Sequence, residues 1–395
     1  MSQREVVILS GVRTAVGSFG GSLKDFKAVE LASIVTEEAL ERSGADKADI
    51  GHCVFGTVVA GDRRDMYMSR AAALNAGLDQ TTPAYNVNRL CGSGLQAIVS
   101  AVQAILLGDC DAAVAGGAES MSNIPYWLPS ARFGQRMGNG EMYDPMIGVL
   151  SCPMNGYHMG VTAENVAERF EITREQQDEL AVSSHQRAQR AIDAGYFESQ
   201  ILPVEGKNKR RPSVFAQDEH VRGDASVEGM QGLRPAFKKD GTVTAGNASG
   251  LNDGAAALVL MEKAAAEEKG LKAWATIKGY AVAGVEPAIM GTGPIPAVEQ
   301  LLEKTGVSKD EIDFWESNEA FAAQALSVSN ALNLDSEKVN PNGSGISLGH
   351  PVGATGAIMA VKAIYELERT NGRYAVCTMC IGGGQGIAIL LERNA

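Results

Sequence analysis

Apolar and polar residues follow two rhythms along this chain. Short runs such as "EVVILSG" (5–11), "CVFGTVV" (53–59), "AAVAGG" (112–117) and "ALVLME" (257–262) are rich in valine, isoleucine and leucine and end at glycine or charge, which predicts strands. Longer segments such as "VELASIVTEEALERSG" (29–44) and "GLQAIVSAVQAILLGD" (94–109) carry apolar stripes at helical spacing. Residues 95–107 are apolar almost all round, the pattern of a helix with no solvent face.

The pattern repeats. "LERSGADKADIGHCVF" (40–55) aligns with "LEKTGVSKDEIDFWES" (302–317) at a shift of 262, from Leu40 to Leu302. The same shift superimposes Cys91-Gly92-Ser93-Gly94 on Gly353-Ala354-Thr355-Gly356, and "AAV" (112–114) on "YAV" (374–376). Each half reads strand, helix, strand, helix and then two strands. The halves differ before the last strand. "GQGIAILLER" begins 8 residues after Val376, whereas "GAAALVLMEK" begins 140 after Val114, so an insertion occupies roughly 121–251. It holds the irregular "NIPYWLPSARFGQRMGNGEMYDP", a helical stretch over 162–196 and the basic "KNKRR". Two α/β halves stacked around buried central helices predict a duplicated body of α/β/α/β/α layers. Residues 1–120 with 252–272 form one half, 121–251 an inserted loop domain, and 273–395 the other half.

Composition narrows the function. A net charge of −12 argues against a broad nucleic-acid footprint. No apolar run reaches the roughly 18 residues of a membrane span. Six cysteines in 395 residues do not make a disulfide framework, and a reducing cytoplasm is the expected compartment. The 45 glycines cluster in motifs between apolar runs, as expected where backbones approach closely around a site.

Three such motifs carry candidate chemistry. In "NRLCGSGLQAI", Cys91 stands between a strand and a buried helix, where unpaired N–H groups and the helix dipole favour the thiolate. Cys53, Cys110 and Cys152 lack that setting and read as inert. In "NPNGSGISLGHPVGATG", His350 sits in a glycine-rich turn before the second central helix, where it can serve a thiol as general base. His52, His185 and His220 have no comparable surroundings. In "WESNEAFAAQ", Asn318 meets a helix start, either as a simple N-cap or as a site residue.

Two motifs point elsewhere. Cys377-x-x-Cys380 resembles a redox dithiol or half a zinc site, but no second C-x-x-C or H-x-x-x-H completes it. Gly92-x-Gly94-x-x-Ala97 fits a dinucleotide fingerprint, which keeps a nicotinamide dehydrogenase as a weak alternative. The acidic partner of that fingerprint is misplaced, since Asp109 and Asp111 precede the next strand.

Taken in order, "NRLCGSG", "AGGAESMS", "HMGVTAENVA", "TVTAGNASGLNDGAAA", "NEAFAAQ", "NPNGSGISLGHPVGATG" and "CIGGGQG" resemble the thiolase family along essentially the whole chain. The resemblance implies an acyltransferase that condenses acetyl-CoA with a short acyl-CoA, or thiolyses a 3-oxoacyl-CoA, through an acyl-cysteine. It implies Cys91 as nucleophile, His350 as its base and Cys380 as the acid/base of the carbon–carbon step. It also implies Asn318 and the backbone of Gly382 at oxyanion sites, Arg222 and Ser249 along CoA, and His158, Met159 and Met290 at the acyl end. CoA is then a substrate, with no separate cofactor and no metal, and the assembly is a homotetramer, a dimer of dimers. Lys207, Lys209, Arg210 and Arg211 add positive charge to the insertion, as a solvated hairpin. The stretch "SCPMNGY" before His158 and Gly229 in "VEGM" depart from the commonest acetoacetyl-CoA thiolase pattern, which leaves acyl length open. A ketoacyl-synthase-like enzyme is the related alternative, but it would use one cysteine with two histidines.

Overall fold

The computed structural model describes residues 4–208 and 213–394. Its nine longer strands fall into two sets with the same spatial order. The first runs β3 (Ala84–Val87), β2 (Ile50–Gly56), β4 (Ala112–Ser120), β5 (Asn252–Glu262), β1 (Val6–Thr14). The second runs β7 (Phe314–Ser317), β8 (Tyr374–Ile381), β9 (Gln385–Arg393), β6 (Ala275–Gly284). Parallel pairing at β2/β4 recurs at β7/β8, and antiparallel pairing at β4/β5 recurs at β8/β9. The counterpart of β3 shrinks to a single bridge, Trp315 to Val339. The sets touch where β1 pairs briefly with β6, at Val7–Thr276 and Ile8–Ala275.

The period of two along each strand sorts side chains into separate cores. Val6 and Ile8 of β1 face a central core, while Val7 and Leu9 face an outer one beneath α1 (Ala28–Ser43) and α2 (Met68–Asn75). In β8, Ala375, Cys377 and Met379 turn to the centre and Val376 turns outward with Val298 and Leu301 of a helix at Pro294–Thr305. The central layer contains α3 (Ser93–Leu107) and a second helix (Thr355–Thr370) between the two sheets. The α/β/α/β/α order is the expected one.

The two central helices cross at their N-termini. A Cβ on Gly94 would lie 2.5 Å from the Ala357 amide nitrogen, and one on Gly356 would strike the Leu95 amide. Both positions demand glycine because backbone meets backbone. Gly94 and Gly356 are partners under the 262-residue shift.

Two expectations change. The segment Leu90–Leu107 is, by length and hydropathy, 18 residues that could cross a membrane, contrary to the reading that none could. It is apolar because it lies in the central layer, packed by both halves. The helical stretch at 162–196 is two helices, α4 (Met159–Arg169) and α5 (Arg174–Asp193), separated by a turn in which Glu171 has positive φ. The strand expected before Cys91 is β3, whose sequence "AYNV" is too short and mixed to show a period.

Candidate active site

Cys91 lies in a tight turn between β3 and α3. Leu90 takes a left-handed conformation, φ 46°, which is costly for a side chain and marks a constrained turn. The Ser93 hydroxyl locks it, accepting from the Arg89 amide at 2.9 Å and donating to the Leu90 carbonyl at 2.6 Å. On the opposite half, the His350 amide donates to Asn252 Oδ1 at 2.9 Å, tying its turn to the start of β5. The imidazole is buried. Its Nδ1 lies 2.6 Å from Thr355 Oγ1, and its Nε2 has no protein partner.

These turns meet in one apolar pocket, which takes in Cys91, His350, Cys380, Gly382, Ser249, Met159 and Met290. The candidate reacting groups therefore come from both halves, and the segment 121–251 supplies Ser249 and Met159. Ser249 is fixed through its amide, which donates to the Ala320 carbonyl at 3.0 Å. Met159 and Met290 pack with Phe321 and Cys380. His158 caps α4, its Nδ1 accepting from the Gly160 amide at 3.0 Å, and stacks on Phe237 at 4.7 Å. A Cβ on Gly382 would reach to 3.0 Å from Met159 Cε and 3.2 Å from Leu90 Cδ1, so that glycine keeps the pocket open.

Asn318 is not an N-cap. The helix after it (Ala322–Ala331) begins at Phe321 with no side-chain cap. Its own amide donates to the Thr378 carbonyl at 3.0 Å, while Oδ1 and Nδ2 are buried without protein partners. It lines a small cavity that also reaches Gly349 and Thr355, directly behind the His350 turn. Two unpaired polar atoms at such a site call for water or ligand.

The electrostatics correct one expectation. Burial pushes the Cys91 thiol up rather than down, with the Gly382 and Cys91 amides pulling the other way and Glu119 raising it further. Desolvation outweighs the helix N-terminus. Burial likewise carries Cys380 far above the ordinary thiol range, with Cys91 as the second cause. Burial lowers His350 to about 4. The resting site is thus uncharged, two thiols beside a neutral imidazole, and Cys91 becomes a thiolate only when a base removes its proton.

The C-x-x-C pair is divided by the strand that carries it. Cys377 faces the central core and Cys380 the pocket, because residues three apart on a strand point to opposite faces. A disulfide between them would need their Cβ vectors to converge. The dinucleotide reading fails as well. A Cβ on Gly92 would meet Ile381 Cδ1 at 2.6 Å, and Gly94 packs on the second helix, so protein fills the place of a pyrophosphate. No group of three or more His, Cys, Asp or Glu side chains suited to a metal occurs among the described residues.

Arg222 lies outside the pocket and is exposed; its amide donates to His185 Nδ1 at 3.1 Å. Lys207 pairs with Glu30 at 2.6 Å and covers the Phe26 ring. Lys209, Arg210 and Arg211 lie outside the described residues. Sequence reasoning missed Thr355, Asn252 and Glu119. The Glu119 carboxylate is fully buried and accepts from the Val58, Val59 and Gly353 amides, binding one half to the other beside the pocket. Its place in "AGGAES" was a legible signal, a lone acid within an apolar run.

Residues 6–264 match the family described as thiolase, N-terminal domain, and residues 271–393 match thiolase, C-terminal domain. The chain is 59% identical over 391 residues to a protein of Cupriavidus necator named beta-ketothiolase BktB, covering 99% of each. It is 48% identical over 393 residues to the acetyl-CoA acetyltransferase of Escherichia coli, again covering 99% of each. Among solved structures, the Bacillus anthracis acetyl-CoA acetyltransferase superimposes with a TM-score of 0.96 at 49% identity, covering 99% of each chain. Human mitochondrial 3-ketoacyl-CoA thiolase in complex with CoA superimposes with a TM-score of 0.95 at 40% identity, covering 100% of this chain and 99% of that one.

Proposed function

The chain belongs to the thiolase family across both of that family's domains, and from that premise we propose how it works. It is an acyltransferase, and the reaction is the reversible Claisen condensation of acetyl-CoA with a short acyl-CoA, run backwards as thiolysis of a 3-oxoacyl-CoA. The observation that carries this reading is the placement of two thiols and an unpartnered imidazole nitrogen in one apolar pocket.

In the first half-reaction, His350 Nε2 takes the Cys91 proton as the sulfur attacks the thioester carbonyl. The imidazolium so formed donates to the developing oxyanion, together with a water held by Asn318. Collapse expels CoA thiolate, which leaves with the proton, and Cys91 is acylated. In the second, Cys380 passes its own proton to His350 and, as the thiolate, removes an α-proton from acetyl-CoA. The carbanion attacks the acyl-Cys91 carbonyl, and collapse of the oxyanion releases the 3-oxoacyl-CoA and the Cys91 thiolate, which takes the proton back from His350. The Cys91 and Gly382 amides stabilise that tetrahedral oxyanion. Donors fixed before charge develops are worth most in a site this dry. A ketoacyl-synthase arrangement is disfavoured because His350 is the one histidine lining the pocket among the described residues, beside two thiols.

Arg222 and Ser249 are proposed to hold CoA, and His158, Met159 and Met290 to bound the acyl group. We further divide the chain as two halves, 1–120 with 252–272 and 273–395, and a loop domain, 121–251, which serves CoA binding and assembly. The protein is proposed to act in the cytoplasm as a homotetramer. Support for self-association comes from Trp127, Phe133, Met137 and Met142, all well exposed in that loop domain.

Incubation with acetyl-CoA and intact mass measurement tests the proposal. The parent protein should gain one acetyl group and Cys91→Ala none. An acetylated variant would show that another group is the nucleophile.

A further inference from the structure

We propose that Thr355 is a positioning residue that sets the tautomer of His350, holding the ring hydrogen on Nδ1 and leaving Nε2 bare toward Cys91. This deepens the role of His350 proposed above and rests on it for its catalytic consequence. The observation is a count of hydrogens. Thr355 Oγ1 makes two short contacts, to His350 Nδ1 at 2.6 Å and to the Pro351 carbonyl at 2.9 Å. A carbonyl oxygen can only accept, so the hydroxyl spends its single hydrogen on Pro351. The contact to Nδ1 then needs a hydrogen from the ring. With Nδ1 protonated, a neutral imidazole must carry a lone pair on Nε2, which is the buried ring nitrogen with no protein partner.

The opposite tautomer wastes one of these contacts. If the hydroxyl turned to donate to Nδ1, the Pro351 contact would hold no hydrogen and two oxygens would face each other. The hydroxyl cannot swing away, because Thr355 is buried at the first position of its helix and its amide is also bonded to Pro351, at 2.9 Å. The same six-residue turn therefore supplies both the base and the group that orients it. A tautomer fixed this way matters because a histidine with its hydrogen on Nε2 would point a donor, not a base, at the nucleophile.

The test separates tautomer from rate. Nitrogen-15 spectra of protein labelled at histidine should show His350, assigned by its loss in His350→Gln, with hydrogen on Nδ1 and a bare Nε2 near pH 7. Thr355→Ser should keep that pattern. Thr355→Val, which keeps the shape and loses the hydroxyl, should show the other tautomer or a mixture. Acetylation by acetyl-CoA should slow about tenfold or more in Thr355→Val, the factor of one neutral hydrogen bond, and return in Thr355→Ser. A parent spectrum with bare Nδ1, or a valine variant with an unchanged tautomer, overturns the proposal. The parent spectrum alone decides if the valine variant fails to fold. Undiminished acetylation in His350→Gln would instead sink the base role of His350 and leave the tautomer assignment standing.

Discussion

At the scale of single residues, burial is what gives this site its character. The motif "GHPVGATG" marked His350 as a candidate base, and its ring lines the pocket. What no local motif could reveal is the charge state, because desolvation is supplied by elements hundreds of residues away. Cys91 looked like a thiolate from its helix N-terminus alone, yet burial reverses the sign. The same burial makes stability depend on pH. His350 in the folded chain titrates near 4, against about 6.5 for an exposed histidine. Between those values the unfolded chain binds the extra proton, so the contribution is intact above pH 6.5 and lost as pH falls toward 4. His185, lowered to about 4 mainly by burial, adds a change of the same sign. Denaturant titrations of the parent and His350→Asn at pH 4 and pH 7 should differ in slope. The parent should lose up to roughly 3 kcal/mol more than the variant across that interval. Equal losses would show that His350 is not buried as a neutral ring.

At the scale of elements, the clearest feature is the crossing of the two central helices. The 262-residue repeat, read from sequence, aligned their N-termini, and the structure places those ends in contact through Gly94 and Gly356. The repeat was legible to the residue: the short turn of helix at Lys47–Asp49 recurs at Lys309–Glu311, and the helix-ending Gly44 recurs as Gly306. Less legible were the bounds of β3 and the left-handed Leu90, since neither leaves a periodic trace. Gly94→Ala should push backbone from backbone beneath Cys91 and Thr355. Overpacking of this kind costs about 1–3 kcal/mol or more, so thermal unfolding should move to lower temperature and acetylation should slow with it. An unchanged melting temperature would mean that the helices do not cross as closely as described.

At the scale of the whole molecule, duplication explains why one site needs both halves. Cys91 aligns with Gly353 under the repeat, so the two related turns meet but only one carries a thiol, while His350 and Cys380 reach the same pocket from the other half. The inserted loop domain covers the pocket with Met159 and Ser249 and exposes an apolar surface of its own. Sedimentation of the parent should give four chains of 41.5 kDa, and Phe133→Glu with Met137→Glu should lower that mass. A parent that sediments as a single chain would refute assembly through this surface.

The central claim is that two thiols divide the reaction, Cys91 transferring the acyl group and Cys380 the α-proton. Cys380→Ser leaves Cys91 and His350 in place but substitutes a hydroxyl too weak as an acid/base near neutral pH. Its acetylation by acetyl-CoA should persist, measured by intact mass, while exchange of the acetyl-CoA α-hydrogens with deuterated water should vanish. Cys377→Ser, altered on the opposite face of the same strand, should retain both. Loss of acetylation in Cys380→Ser, or equal damage from Cys377→Ser, would contradict the division of labour.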